Sequence, residues 1–273
     1  MGKSTTMPRL CASLAALLLL PPFSSAAVSP EPAPDIAAAG PVKPEGEPGL
    51  LLLRAVEPSA EYSIKLVNVI HVLPAAYELR AVLARTVLGK NRATLPEIMA
   101  AVPEAMAGMN ASFFSLEDGK LVGFFMEGGR IAEHHPHPSM DRIFFSRADG
   151  TAGIAAGTRI DPQGVLSAVS GKSAWDEQSA SARTALCIDE GGHVKLVSAY
   201  PVRDLSRMTE YLTRREACAA VVHLDGGGSA QAFVRGKLSV GWERGRGCER
   251  SVLESPSECF RPVPAFILAV PRT

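Results

Sequence analysis

The sequence predicts an α+β domain: a single mixed, largely antiparallel sheet with a few helices packed on it. Two observations carry this. Short apolar runs flank turn signals at Glu127-Gly128-Gly129, Asp149-Gly150, Glu190-Gly191-Gly192 and Arg235-Gly236-Lys237, each of which reads as a hairpin. Only one stretch has a strong helical period, residues 204–216, where Leu205, Met208 and Leu212 share a face and Asp204 stands as N-cap. There are no internal repeats.

In chain order, residues 64–72 and 77–83 form two strands around Pro74. Thr94-Leu95-Pro96-Glu97 is a capping-box signature with proline in the first turn, opening a short helix through about residue 102. Residues 105–109 are small and apolar and lead into Asn110-Ala111-Ser112-Phe113-Phe114. Runs 121–126 and 130–132 make one hairpin, and 142–146 and 153–156 another. A helix is expected over 163–169. Strands 184–188 and 193–198 precede the 204–216 helix, and after it come a strand at Val221, the 235–237 hairpin, a polar excursion and a last buried strand over 263–270.

The ends and the composition set the compartment. Lys3 and Arg9 precede an apolar run over 10–23, broken by Pro21-Pro22 and followed by Ser24-Ser25-Ala26-Ala27. Residues 1–27 therefore read as a secretory signal peptide, too short in its apolar part to span a bilayer. Cys11 opens that apolar run rather than following it, which argues against a lipid anchor. Residues 28–49 are rich in Pro, Ala and Glu and read as an extended linker. Residues 50–273 suffice for one domain with a full core. The expectation is export to a periplasmic or extracellular space without stable membrane insertion. In the 273-residue chain, 28 basic side chains balance 28 acidic ones, so there is no electrostatic footprint for nucleic acid.

Removal of Cys11 leaves Cys187, Cys218, Cys248 and Cys259, which allow three pairings in an oxidising compartment. Cys248 and Cys259 bracket a polar loop and form the easier pair. Cys187 and Cys218 lie in or beside apolar segments and could be free buried thiols. No Cys/His spacing of a zinc site occurs, and neither metal nor cofactor is expected. His134, His135 and His137 cluster around Pro136 and Pro138 without a regular period and read as an exposed polar loop rather than a metal site.

The chemistry concentrates at Val221-Val222-His223-Leu224-Asp225-Gly226-Gly227-Gly228-Ser229. A buried strand stops there at an acid followed by three glycines, a pattern kept where side chains must be absent. Bared N–H groups in such a loop can meet an anion. The hydrolase nucleophile elbow requires glycine two residues after its serine, but Gln231 stands there, so Ser229 is a hydrogen bonder rather than a nucleophile. No P-loop lysine is present. Taken singly, Asn110 reads as a turn residue and Arg183 as a surface charge.

Together these stretches resemble the phosphodiester glycosidase family. The motifs are 108–114, Gly123 with its hairpin, Ala182-Arg183-Thr184-Ala185 before a strand–turn–strand, and 224–229, in that order. Two residues depart from the family pattern: His223 replaces a common Asn, and Cys187 a small residue, usually Gly. The resemblance implies hydrolysis of a sugar-1-phosphodiester at its glycosidic bond, with Asp225, Arg183 and Asn110 as catalytic residues. Thr184, Gly226, Gly227, Gly228, Ser229 and His223 would line the substrate site, Thr184 supporting Arg183. Two alternatives compete: a non-catalytic envelope module that binds anionic glycans, and an ordinary glycosidase acting on exported polysaccharide with a second carboxylate from Glu127, Asp141 or Asp189.

Overall fold

The computed structural model describes residues 45–59, 62–174, 176–242 and 260–273. The expected signal peptide, the expected linker up to residue 44, Cys248 and Cys259 lie outside them. Among the described residues no helix is long and apolar enough to cross a membrane.

The domain is strand-dominated, and every strand pairing among the described residues is antiparallel, so the α+β, mixed-sheet expectation is corrected toward antiparallel β. Three sheets form instead of one. The first contains β1 (Glu45–Glu47), β2 (Leu50–Ser59), β3 (Ile64–Val72), β12 (Val194–Asp204), β11 (Asp176–Asp189) and β13 (Cys218–His223), in that spatial order. The second runs β15 (Leu238–Gly241), β14 (Gln231–Val234), β5 (Ala107–Asn110), β16 (Ala265–Pro271), β4 (Tyr77–Leu83). The third runs β7 (Arg130–His135), β6 (Gly123–Glu127), β10 (Val165–Gly171), β8 (Arg142–Arg147), β9 (Ala152–Ala156).

One core joins the three sheets through Ile70, Leu79, Met109, Phe125, Phe144, Leu186 and Ile267, all essentially inaccessible. Side chains also link the second and third sheets: the Ala81 N–H donates to Ser167 Oγ at 2.9 Å, and Ser146 Oγ donates to the Leu79 carbonyl at 2.7 Å. The helices α1 (Ala84–Leu88) and α2 (Leu95–Ala101) cover the second sheet. Helix α3 (Leu205–Arg215) lays Leu205, Met208 and Leu212 on the first. Its N-cap is Asp204, whose carboxylate accepts the Ser206 N–H at 2.7 Å. In α2 the Thr94 N–H donates to Glu97 at 2.8 Å, the expected capping box.

Four local expectations change. Residues 165–171 are a strand, not part of a helix, because Ser167 and Ser170 point into inter-strand hydrogen bonds (the latter accepting the Phe124 N–H at 2.8 Å) and break the alternation that marks a strand. The folded region reaches back into the linker, since Glu45–Glu47 pairs with 50–52 around the Pro48-Gly49 turn. His134 and His135 end strand β7 rather than sitting in a loop.

Finally, Cys187 and Cys218 are not free thiols: they form a disulfide across neighbouring strands β11 and β13, with Cα atoms 5.7 Å apart and 31 residues of separation. Closing a loop of that length stabilises by about 3–4 kcal/mol on the chain-entropy account. A Cys187→Ala/Cys218→Ala double variant is expected to lose roughly that much in urea unfolding, and unchanged stability would show that the loop is restrained by other contacts.

Candidate active site

Strand β13 ends at His223, and the chain then crosses from the first sheet to the second through residues 224–230 before entering β14. This crossover carries Asp225. Its backbone is fixed from both sides. Thr184 Oγ1 donates to the Asp225 carbonyl at 2.8 Å, and Asn110 Nδ2 donates to the same carbonyl at 2.7 Å. Asn110 Nδ2 also reaches Thr184 Oγ1 at 3.3 Å, while its Oδ1 accepts the Gln231 N–H at 2.9 Å. The flanking N–H groups of Leu224 and Asp225 donate to the carbonyls of Thr184 and Ala111. Asn110 and Thr184 are buried, so their polar atoms hold the loop in register. Thr184 thus braces the backbone at Asp225.

Each glycine of the loop has its own physical reason. A Cβ on Gly226 would stand 2.9 Å from Nη1 of Arg183 and 2.8 Å from the Ala182 carbonyl. Gly227 has φ of +62°, opening a single 3₁₀ turn over Gly227–Ser229. A Cβ on Gly228 would stand 2.6 Å from Cζ of Arg261. The loop is therefore bare because a guanidinium packs against it on either flank. Arg261 carries no sequence motif; only the tertiary fold brings the segment leading into the last strand beside this loop.

The Asp225 side chain remains partly exposed. Its Oδ1 accepts the Gly226 N–H at 3.1 Å, and the Ser229 hydroxyl also hydrogen-bonds the carboxylate. Burial dominates over these bonds and over the positive charges of Arg261 and Arg183, and raises the carboxyl to about 6 from 3.8. Arg183 and Ser229 are nearly enclosed, at 5% and 2% exposure. Arg183 Nη1 lies 3.5 Å from the Ala182 carbonyl.

His223 is wholly buried, its Nε2 2.8 Å from Thr209 Oγ1 of α3. Burial, and secondarily the charge of Arg183, lowers its pKa to about 4, so the ring is neutral at neutral pH. It is an uncharged ring within reach of the Arg183 charge, with no exposed surface in this arrangement. Lys172 sits close by, its backbone paired with His223 and its Nζ 4.8 Å from the centre of the Phe113 ring.

The three alternative acids are engaged elsewhere. Glu127 accepts the Leu83 N–H at 3.1 Å and the Thr86 hydroxyl at 2.8 Å. Asp141 accepts the N–H and hydroxyl of Ser173, both at 2.7 Å. Asp189 holds the His193 N–H at 3.0 Å. None of them is among the groups acting on Asp225, whose charged neighbours are arginines.

The family model described as phosphodiester glycosidase matches residues 103–270, a span that contains every residue of the site. No curated protein sequence matches the chain. Among solved structures, the catalytic domain of zebrafish N-acetylglucosamine-1-phosphodiester alpha-N-acetylglucosaminidase, auto-inhibited by its pro-peptide, is similar with a TM-score of 0.64 at 16% identity, over 84% of this chain and 85% of that one. A hypothetical protein from Synechocystis matches with a TM-score of 0.55 at 11% identity, over 82% of this chain and 62% of that one. A putative exported protein from Burkholderia pseudomallei matches with a TM-score of 0.51 at 15% identity, over 76% and 74%. At these identities the structural likeness speaks for the fold.

Proposed function

The chain belongs to the phosphodiester glycosidase family, and on that premise we propose that it hydrolyses the glycosidic C–O bond of a sugar-1-phosphodiester, releasing free sugar and a phosphomonoester. The observation that supports this most is the single carboxylate of Asp225 on a glycine loop between two arginines. Ordinary glycosidases need a carboxylic acid to protonate the leaving oxygen and a second carboxylate on the other face of the sugar. A phosphate leaves without protonation, and cations that gather its charge can replace the acid.

Arg183 would grip the phosphate through its planar fork. Asp225 would stabilise the oxocarbenium-like carbon, activate water or attack it directly. All three parts require the anion. Ser229 and the Gly226 N–H orient the carboxylate, while Asn110 and Thr184 act as positioning residues through the loop backbone. The sugar and the group beyond the phosphate belong to the substrate class rather than to a single assigned compound. Export through residues 1–27 is part of the proposal, and the Cys187–Cys218 disulfide supports an oxidising compartment.

The pH dependence follows from the raised carboxyl. Because the anion is the active form, kcat/KM is expected to rise with pH through about 6 and then level off. His223 stays neutral across that range, so the rise belongs to Asp225. A profile that instead falls through pH 6 would make Asp225 a proton donor and overturn its assigned part.

A binding module for anionic glycans would share most of these contacts, and what separates the two readings is turnover. The distinguishing experiment incubates the protein with the methyl phosphodiester of α-N-acetylglucosamine 1-phosphate and a panel of other sugar-1-phosphodiesters. Release of reducing sugar supports hydrolysis; retention of intact diester without release would establish the binding module.

A further inference from the structure

The structure assigns Arg261 as a second phosphate-binding residue of the site, one that takes up the negative charge appearing on the leaving phosphate as the glycosidic bond breaks. The inference rests on the phosphodiester reading above and adds to it a residue and a division of labour.

The geometry is specific. Arg261 lies against the open backbone of Gly228, as Arg183 lies against Gly226, so the two guanidiniums flank the loop that carries Asp225. Both lower the Asp225 carboxyl, and Arg261 does so more strongly. Its backbone is held from beneath by Gln231, a fully buried residue whose Nε2 donates to the Arg261 carbonyl at 2.6 Å and to the Ser229 carbonyl at 3.4 Å. Gln231 Oε1 accepts the Leu95 N–H at 2.8 Å, and its own N–H donates to Asn110. One side chain thus ties Arg261, Ser229, Asn110 and the start of α2 together. The glutamine that breaks the nucleophile-elbow motif is the residue that fixes the second cation beside the loop. Buried amides satisfied at both ends hold their partners in one arrangement.

Charge balance gives this cation a part to play. The substrate diester carries one negative charge. When the C1–O bond breaks, the electron pair goes to the phosphate oxygen, leaving a phosphomonoester with two negative charges and an electron-deficient anomeric carbon. Water then adds to that carbon and gives up a proton, and the products are free sugar and phosphomonoester. With the Asp225 carboxylate offset by the electron-deficient anomeric carbon, one arginine matches the charge of the bound substrate and two match the charge of the departing group. A contact that strengthens only as the bond breaks raises kcat rather than lowering KM.

The test measures kcat, KM and inhibition by methyl phosphate for wild type, Arg261→Ala, Arg261→Lys and Arg183→Ala, using the methyl phosphodiester of α-N-acetylglucosamine 1-phosphate or the most reactive diester of the panel. Arg261→Ala is expected to lower kcat by ~10²–10³ with KM changed less than tenfold. Methyl phosphate should inhibit it at least tenfold more weakly, and the pH midpoint near 6 should move upward as a cation beside Asp225 is lost. Added guanidinium ion should restore part of the rate. Arg261→Lys keeps the charge without the fork and should fall between, and it serves as the test if the alanine variant does not fold. Retention by Arg261→Ala, or by the folded lysine variant in its place, of wild-type kcat and wild-type methyl phosphate inhibition would overturn the inference while leaving the hydrolysis reading intact. A wild type that cleaves no diester would instead overturn that reading itself.

Discussion

Asp225→Asn is expected to lower turnover on a sugar-1-phosphodiester by ~10²–10³ or more while the domain stays folded. The variant keeps the shape of the side chain and one acceptor oxygen for the Gly226 N–H, removes the charge, and replaces the second oxygen by an NH2 group. Stability should move the other way. The folded carboxyl titrates at about 6 against 3.8 for an unperturbed aspartate, so the native state binds the proton more tightly than the unfolded chain. Below pH 3.8 the group is neutral in both states and carries no penalty. As pH rises through 6 the native state must accept a disfavoured charge, a penalty of order 1–3 kcal/mol that the Asn variant escapes. Urea unfolding at pH 8 should therefore find Asp225→Asn more stable than wild type, with the difference vanishing as the pH falls below 3.8. A variant that is less stable at pH 8 would mean that the arginines hold the carboxylate as a structural ion pair.

The second large effect is expected at Arg183. Arg183→Ala should lose ~10²–10³ in turnover through the missing grip on the phosphate. It also removes a positive charge beside Asp225 and His223, so the pH midpoint of kcat/KM should rise above 6 and the His223 ring should titrate closer to its ordinary value. The imidazole resonances of His223 report this by NMR. Arg183→Lys separates charge from shape: a point charge keeps the midpoint near its wild-type position but lacks the two-pronged contact, so activity should fall with little change in titration. Wild-type turnover in Arg183→Ala would remove the phosphate from that side of the loop.

Much of this arrangement is legible in the chain because local signals coincide with tertiary demands. The strands Ile64–Val72 and Tyr77–Leu83 are bounded as their apolar patterning indicates, and the Asp204 cap and Thr94 capping box start helices where their chemistry requires. The triple glycine shows that side chains must be absent, but not why. That reason is two guanidiniums, one of them from a residue 33 positions farther along the chain than Gly228. Strand β10 is disguised because its serines bond to neighbouring strands instead of alternating with apolar residues. The Cys187–Cys218 bond depends on the β11–β13 register, which no spacing between cysteines announces. Asn110 likewise looks like a substrate contact in the motif, whereas its amide fastens Asp225 and Gln231. Local chemistry names the residues of the site; the pairing of strands decides which of them face the substrate and which hold the others in place.

The central claim is that Asp225 and its flanking arginines break the bond between the anomeric carbon and oxygen, leaving the phosphorus untouched. Hydrolysis of a sugar-1-phosphodiester in ¹⁸O-labelled water, followed by mass spectrometry of both products during the first turnovers, tests it most directly. The label is predicted at the anomeric hydroxyl of the free sugar, with none in the phosphomonoester. Label in the phosphate, with the sugar oxygen unexchanged, would contradict the account.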